Sequence, residues 1–205
     1  MKRLARYVKD RVRLVMKFDY QEAVNGVTVW TDTDFAGCVK SRKSTSAGII
    51  QLGGHLLKSW SINRAVIALS SGEAEYYGLV KGASTGIGTE AIIRDLGRDY
   101  EDALEIRTDA SAAIGIANRI GIGKIRHIET NQLWLQQKVL DGKLVVSKVK
   151  GEDNLADALT KPVDGKLLAD HLVRVGSIVC EGRHALAPAL DTEEEIVGDG
   201  EVEGE

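Results

Sequence analysis

The chain has 205 residues, with 27 Lys and Arg against 30 Asp and Glu, which gives a formal net charge of −3. This length fits one domain with appended segments, a hydrophobic content of 43% is typical of globular proteins rather than of disordered chains, and two cysteines exclude a disulfide framework and a cysteine-rich zinc cluster. The basic N-terminus leads into no apolar signal segment, and no run approaches the roughly 18 apolar residues of a membrane span, so we expect an intracellular protein that is not secreted.

The two ends of the chain differ in charge. Near the N-terminus, apolar Val12, Leu14, Met16 and Phe18 alternate with mostly basic residues, which predicts a half-buried strand after a short helix. The segment Asp191–Glu205 holds eight acidic residues and no basic one, so residues 1–190 carry −3 + 8 = +5. Low hydrophobicity and like charge predict that this tail is disordered.

The central part of the chain begins with three predicted strands. Val27–Asp34 is rich in β-branched residues, and Ala47–Leu52 is a second apolar run. Gly53 and Gly54 form a two-residue hairpin signal before a third strand at Leu56–Ser61. We therefore expect three consecutive antiparallel strands.

A helix is predicted to follow the hairpin. Ser70 and Glu73 have the spacing of a capping box, in which the two side chains satisfy free N–H groups at a helix N-terminus. The helix should continue at least through Leu79 to Ala83. Three glycines are expected to weaken its far end, since glycine disfavours helix interiors. These are Gly82, Gly86 and Gly88.

The remaining elements alternate between strands and helices. We expect strands at Leu104–Asp109 and Leu144–Lys150, helices at Ser111–Asn118 and Ile128–Leu140, and the start of a last helix at Asn154–Thr160. This order predicts an α/β fold with a mixed five-stranded sheet and helices on both faces.

Four acidic residues lie where such a fold would gather them. Asp32 and Asp109 belong to predicted strands, and Glu75 and Asp157 to predicted helices. Strand ends and the facing helix starts of an α/β sheet form one crevice, so these distant segments can converge there. Converging carboxylates repel each other unless cations lie between them, and Mg²⁺ prefers oxygen ligands. The pattern therefore favours two-metal phosphodiester chemistry. Taken singly, each acid is also compatible with an ordinary surface residue.

Neighbouring acids leave two alternatives. Glu73 and Glu75 are two residues apart on a helix, so they cannot face the same crevice, and the capping role of Glu73 favours Glu75 as the ligand. Asp32 and Asp34 are two apart on a strand and do face the same side, so spacing alone does not choose between them.

Five successive motifs resemble one family. They read TDTDFAGCVKSRKSTSAGIIQLGG, ALSSGEAEYYGL, RTDASAAIGIA, RHIE and NLADALTKP, within about residues 27–163. In this order they resemble the ribonuclease H domain of copia-type retrotransposon Pol polyproteins. The preceding RLARYVKDRVRLVMKFDY resembles the end of the reverse transcriptase of those polyproteins. The resemblance implies three segments: a reverse transcriptase end at 1–24, a ribonuclease H-like domain at 25–165 and an extension at 166–205.

The resemblance also implies an activity and a site. It implies hydrolysis of the RNA strand of an RNA:DNA hybrid by two Mg²⁺ ions, with Mn²⁺ as a possible substitute, in a cytoplasmic particle or the nucleus, next to the reverse transcriptase domain of the same polyprotein. By motif, the catalytic and metal-binding residues would be Asp32, Glu75, Asp109 and Asp157, which selects Asp32 over Asp34. Ala110 and Glu129 depart from the family pattern, which has Asn and Asp there.

Two basic stretches are candidates for nucleic-acid binding. Arg42, Lys43, Ser44 and Thr45 form a polar cluster after the first strand of the domain, where phosphate contacts and an ordinary solvated turn are both compatible with the sequence. Arg126 and His127 are the second candidate, and the place of His127 before a predicted helix favours a phosphate contact or a helix cap over a catalytic role.

Two further functions would use the same fold. A domesticated, catalytically inactive ribonuclease H-like module would bind nucleic acid or act as a scaffold, and the retention of all four acids counts against it. An integrase-like transferase would prefer DNA and lacks the helix-borne acid represented by Asp157.

Overall fold

The computed structural model describes residues 2–9, 11, 13–24, 26–65, 67–100, 102–123, 128, 132–182 and 184–187. Its strands are β1 (Arg13–Met16), β2 (Val27–Asp34), β3 (Thr45–Leu52), β4 (His55–Asn63), β5 (Leu104–Thr108), β6 (Leu144–Lys148) and β7 (Ser177–Cys180). Its helices are α1 (Lys2–Lys9), α2 (Ser71–Asp95), α3 (Ser111–Ala117), α4 (Trp134–Leu140) and α5 (Gly165–Arg174), with short 3₁₀ turns at Gly151–Asp153 and Asp157–Leu159. The predicted disordered tail lies outside the described residues.

Five strands form the main sheet in the order β4-β3-β2-β5-β6. Strand β3 is antiparallel to both β2 and β4, whereas β2, β5 and β6 run parallel. The hairpin between β3 and β4 turns at Gly53, whose φ of 60° suits glycine. The α/β class and the mixed five-stranded sheet confirm the fold predicted from the sequence.

Alternating residues of the sheet supply two apolar clusters. Val29 and Ile50 pack with α2, α3 and α4, while the adjacent Trp30 and Ile49 pack with Leu155, Ala156 and Val175. Since successive side chains of a strand point to opposite faces, the clusters lie on opposite sides of the sheet. Both faces of the central strands are therefore covered.

Helix α2 extends to Asp95, well beyond Ala83, and its glycines explain why it can. A Cβ at Gly78 would lie 2.3 Å from Thr33 Oγ1, one at Gly82 2.5 Å from Thr31 Cγ2, and one at Gly86 2.8 Å from Val29 Cγ2. Contacts this short are not tolerated, so the glycine ridge lets the helix axis approach β2 closely. The expectation that glycine weakens this end overlooked tertiary packing, which outweighs a local propensity of about 1 kcal/mol.

The capping box forms with one difference from the prediction. Ser70 Oγ accepts the N–H of Glu73 at 3.2 Å, as expected, but the Glu73 carboxylate accepts the N–H of Leu69 at 2.8 Å rather than that of Ser70. Glu73 is almost completely buried. It therefore has the structural role assigned to it.

The prediction that a last helix starts at Asn154–Thr160 is wrong. This segment forms only the 3₁₀ turn Asp157–Leu159. Pro162 follows Lys161 and disfavours the helical conformation of the residue before it, so the turn cannot continue as a helix. A new helix, α5, then begins after Asp164, whose side chain accepts the N–H groups of Lys166 and Leu167.

The chain divides into two compact units, one made of 1–15 and 179–205 and the other of 16–178. The larger unit contains the five-stranded sheet and all four predicted acidic site residues. Strands β1 and β7 pair in a separate two-stranded sheet, as the alternating N-terminal pattern partly predicted. The boundaries proposed at 24/25 and 165/166 remain predictions. Among the described helices, none has the length and apolarity needed to cross a membrane.

Candidate metal centre

Three carboxylates from distant parts of the chain converge at one end of the sheet. Asp32 lies within β2, Asp109 follows the last residue of β5, and Asp157 begins a 3₁₀ turn. One oxygen of each lies within 4.8 Å of the others. Asp32 and Asp157 are each 4% exposed, so the cluster is largely removed from water. Two adjacent parallel strands bring Asp32 and Asp109 together, because their carboxyl ends meet at the same edge.

The register of the central strands creates the crevice that holds these groups. The parallel pairing of β2 and β5 is described only as far as Trp30 and Arg107, while β2 continues to Asp34. The peptide carbonyl of Thr31 lies beyond that pairing and accepts the side-chain N–H of Asn154 at 3.0 Å. A strand end that is no longer covered by its neighbour thus leaves room for a side-chain cluster.

Asn154 is the polar anchor of this crevice and was not predicted as a site residue. It is completely buried, and its amide nitrogen lies 3.0 Å from Thr31 O and 3.5 Å from Asp109 Oδ1. The Asn154 Oδ1 accepts the N–H of Ala156 at 3.2 Å. Its side chain thereby ties β2 to the segment that carries Asp157. The family pattern places an amide after Asp109, where this chain has Ala110, and Asn154 supplies an amide to the same carboxylate from another segment.

Thr160 and Lys161, which follow Asp157 closely in the chain, both contact the cluster. The Thr160 hydroxyl donates to Asp32 Oδ2, and the Lys161 ammonium lies 2.8 Å from Asp157 Oδ2. The backbone N–H groups of both residues donate to Asp157 O, at 3.1 and 3.0 Å. The motif NLADALTKP contains both residues, so the sequence carried a signal, but no role had been assigned to them.

Glu75 lies beside the three aspartates without being one of the closely grouped set. It is partly buried in the first turns of α2. Burial, together with the charges of Asp32 and Asp109, raises the pKa of Glu75 from 4.5 to about 8. The charge of Asp157 acts in the same direction, and that of Lys161 opposes it. These mutual effects place Glu75 in the same electrostatic environment as the aspartates.

The cluster carries more negative charge than its protein surroundings balance. Burial raises the pKa of Asp32 from 3.8 to about 6; the Thr160 hydroxyl counteracts this, and the charge of Asp157 adds to it. Asp157 Oδ1 is buried and has no hydrogen-bond partner among the described residues. An uncompensated buried carboxylate oxygen is costly. The set of donors, all carboxylate oxygens, fits a hard divalent cation, which would satisfy that oxygen and lower the mutual repulsion.

The other predicted acid near the site has a local role. Asp34 Oδ1 accepts the N–H of Thr45 across the β2–β3 pair. Spacing alone had left Asp32 and Asp34 as alternatives. In the structure, Asp32 contributes to the three-carboxylate cluster, whereas Asp34 fixes the loop between the strands.

The structure describes one of the two candidate stretches for nucleic-acid binding. Arg42 is exposed and has a φ of 55°, Lys43 is partly exposed, and Thr45 Oγ1 donates to Asn63 Oδ1 at 2.9 Å. Ser44 is 1% exposed and its Oγ accepts the N–H of Ala36 at 3.1 Å, so this hydroxyl stabilises the loop instead of facing solvent. The second stretch, Arg126 and His127, lies outside the described residues, as does Glu129.

Comparison with known proteins adds information on ancestry. The chain is 29% identical over 135 residues, 65% of its length, to the retrovirus-related Pol polyprotein from transposon TNT 1-94 of Nicotiana tabacum. It is also 29% identical over 149 residues, 72% of its length, to the corresponding polyprotein from transposon RE1 of Arabidopsis thaliana. It spans about a tenth of the length of these relatives. No protein-family model matches the chain.

Several solved structures with a similar fold are ribonucleases H. The N-terminal RNase H domain of a Mycobacterium tuberculosis protein is 18% identical, with a TM-score of 0.45, and the match covers 65% of this chain and 89% of that one. LC11-RNase H1, solved in complex with an RNA/DNA hybrid, is 17% identical, with a TM-score of 0.42, and the match covers 65% and 92%. The curated relatives confirm the resemblance found in the motifs: the chain is homologous to a segment of the retrovirus-related Pol polyproteins of copia-type transposons.

Proposed function

We propose that this chain is the ribonuclease H domain of a transposon Pol polyprotein and hydrolyses the RNA strand of RNA:DNA hybrids with two Mg²⁺ ions, for which Mn²⁺ can substitute. The observation that carries the proposal is the convergence of Asp32, Asp109 and Asp157 from three distant segments into one largely buried cluster. The relationship to Pol polyproteins supports the substrate class, because reverse transcription produces such hybrids.

The site residues divide into ligands and supports. Asp32, Asp109, Asp157 and Glu75 would hold the metal ions. The chemistry that two bound Mg²⁺ ions supply is activation of the attacking water and stabilisation of charge on the leaving oxygen. The side chain of Asn154 and the hydroxyl of Thr160 orient two of these carboxylates, as in other metal sites where surrounding hydrogen bonds fix the ligands.

The nucleic acid would be held by weak phosphate contacts around this cluster. Arg42 and Lys43 lie in the loop between β2, the strand that carries Asp32, and β3, and Thr45 is the first residue of β3. We propose that this loop, with Arg126 and His127, contacts the hybrid backbone. The reverse transcriptase domain of the same polyprotein would supply the rest of the affinity, within an intracellular particle or the nucleus.

Cleavage of a labelled hybrid tests the proposal. The wild-type chain should cleave only the RNA strand in Mg²⁺ and show no cleavage in EDTA, and Asp109→Asn should reduce cleavage by two orders of magnitude or more, because a metal ligand is lost. Asp34→Asn is a matched control outside the cluster whose side-chain oxygen can still accept the Thr45 N–H.

Three results would contradict the proposal. Metal-dependent cleavage that survives Asp109→Asn would exclude the assigned cluster. Preference for duplex DNA over the hybrid would favour an integrase-like transferase. Hybrid binding by a folded wild-type chain that never cleaves would identify an inactive binding module.

A further inference from the structure

Among the described residues, Lys161 is the basic one in direct contact with the carboxylate cluster. Its ammonium lies 2.8 Å from Asp157 Oδ2, and the Asp157 side chain is only 6% exposed. The 3₁₀ turn fixes this pair, since the Lys161 N–H donates to Asp157 O at 3.0 Å. Although burial opposes it, the hydrogen bond to Asp157 and the charges of Asp32 and Asp109 raise the pKa of Lys161. A positive charge is therefore held where the acids converge.

The contacted carboxylate has little other compensation among the described residues. Asp157 Oδ1 is buried without a hydrogen-bond partner among the described residues, so the contact at Oδ2 is the one ion pair that the described residues give this side chain. Asp32, by contrast, accepts the hydroxyl of Thr160. Balance of the Asp157 charge thus depends on Lys161.

The lysine can leave without disturbing the core. Its side chain is 49% exposed, and only its ammonium end reaches the cluster. A flexible lysine stem can rotate into solvent, whereas the Asp157 carboxylate is fixed by its turn and its burial. Such an ion pair is easily exchanged for a stronger one, because a half-exposed pair contributes little net stability.

We propose that Lys161 is a displaceable internal counter-ion, whose ammonium neutralises Asp157 in the metal-free protein and is driven out when a divalent cation binds. This inference rests on the proposed function, because it takes Asp157 as a metal ligand. The ammonium and the metal ion compete for the charge of the same carboxylate. Lys161 therefore stabilises the empty site and lowers its affinity for metal.

Titration of the full chain with Mn²⁺ alone, by calorimetry, tests this competition without any nuclease assay. Lys161→Met retains the length of the apolar stem and removes the ammonium. It should bind Mn²⁺ about three to ten times more tightly than the wild type, the range expected for a half-exposed pair. Lys166→Met is the matched control, because it removes the same charge from an exposed position on α5.

A stability measurement gives a second readout. In EDTA, Lys161→Met should unfold at a lower urea concentration than Lys166→Met, and saturating Mn²⁺ should stabilise it by a larger amount. Lys161→Arg retains the positive charge and should bind Mn²⁺ no more tightly than the wild type. It is the variant to titrate if Lys161→Met does not fold in EDTA, and tighter binding by it would contradict the inference.

The failures of the two proposals are distinguishable. Equal Mn²⁺ affinities of Lys161→Met and Lys166→Met would overturn the counter-ion inference alone. Weaker binding by Lys161→Met would also overturn it, since that would make Lys161 a support of the metal site. If neither the wild type nor Lys161→Met bound Mn²⁺, or if Asp157→Asn left binding unchanged, the proposed function would fall and this inference with it.

Discussion

The close approach of α2 to β2 predicts opposite effects for two glycines of the same helix. Gly82 is buried, and a Cβ there would lie 2.5 Å from Thr31 Cγ2 and 3.3 Å from Val29 Cγ1. Gly88 is exposed, and a Cβ there would meet nothing within 4 Å. Gly82→Ala and Gly88→Ala therefore add the same methyl group to the same helix in different surroundings.

The expected magnitudes follow from two opposing contributions. Alanine favours a helix interior over glycine by about 1 kcal/mol, so Gly88→Ala should raise the free energy of unfolding by about that amount. Overpacking of a fixed core costs about 1–3 kcal/mol, and the missing 1 Å at Thr31 cannot be recovered by a flexible side chain, because Thr31 is 2% exposed and stiff at χ1. Because the helix-propensity gain of about 1 kcal/mol offsets part of this cost, Gly82→Ala should lower the free energy of unfolding by up to about 2 kcal/mol.

Urea denaturation followed by circular dichroism measures both changes. Thr31→Ser removes the Cγ2 methyl that a Cβ at Gly82 would contact, so it should recover part of the loss in the double variant, a coupling that a double-mutant cycle isolates. Stabilisation by Gly82→Ala equal to that by Gly88→Ala would refute the idea that the glycine ridge sets the distance between helix and sheet. The absence of coupling with Thr31→Ser would place the clash elsewhere.

Two further predictions concern the carboxylate crevice. In EDTA, the free energy of unfolding should fall as the pH rises from about 4 to about 8. The pKa values of Asp32, raised to about 6, and of Glu75, raised to about 8, make the folded state bind more protons than the unfolded state in that range. Glu75→Gln should make this decline shallower in urea titrations, and an unchanged slope would contradict the electrostatic account. Asn154→Ala should destabilise the protein by about 1–3 kcal/mol, since it leaves the buried Thr31 carbonyl without its side-chain donor. The same variant should bind Mn²⁺ more weakly in calorimetry. Unaltered Mn²⁺ binding by the folded variant would show that Asn154 does not position Asp109.

The sequence predicted best those elements whose pattern is local. The strands at 27–34 and 104–108 and the helix at 111–117 agree with their predicted positions within one residue, because β-branched runs and turn residues bound them. The extent of α2 could not be predicted in this way. Its glycines are unfavourable locally and acceptable only because β2 lies against them, and that contact joins segments about fifty residues apart.

Near the C-terminal end, some elements could be predicted from the sequence and others could not. Pro162 was a signal that no helix continues past Lys161, and Asp164 followed by an apolar run was a signal for α5. Both signals were present and were not used. The pairing of β1 with β7, by contrast, joins residues more than 160 positions apart, and the alternating pattern of β1 indicated a strand without indicating its partner.

The candidate site shows the same distinction. The acids themselves could be chosen from motifs, but the contact of Asn154 with Thr31 and Asp109 depends on where the pairing of two strands stops. No spacing in the sequence contains that information. The contacts of Thr160 and Lys161, three and four residues after Asp157, were within reach of sequence reasoning, because any helical turn brings such positions to one side.

The segment from Asn154 to Lys161 is best understood as one electrostatic unit. It contributes the carboxylate of Asp157 and, within eight residues, an amide for Asp109, a hydroxyl for Asp32 and an ammonium for Asp157 itself. A buried carboxylate cluster would otherwise oppose folding before any cation binds. Because this one segment supplies both the last acid and the groups that balance the cluster, the metal-free protein can fold with the site already assembled. Among those balancing groups, the Lys161 ammonium carries a full charge and is also the most free to leave.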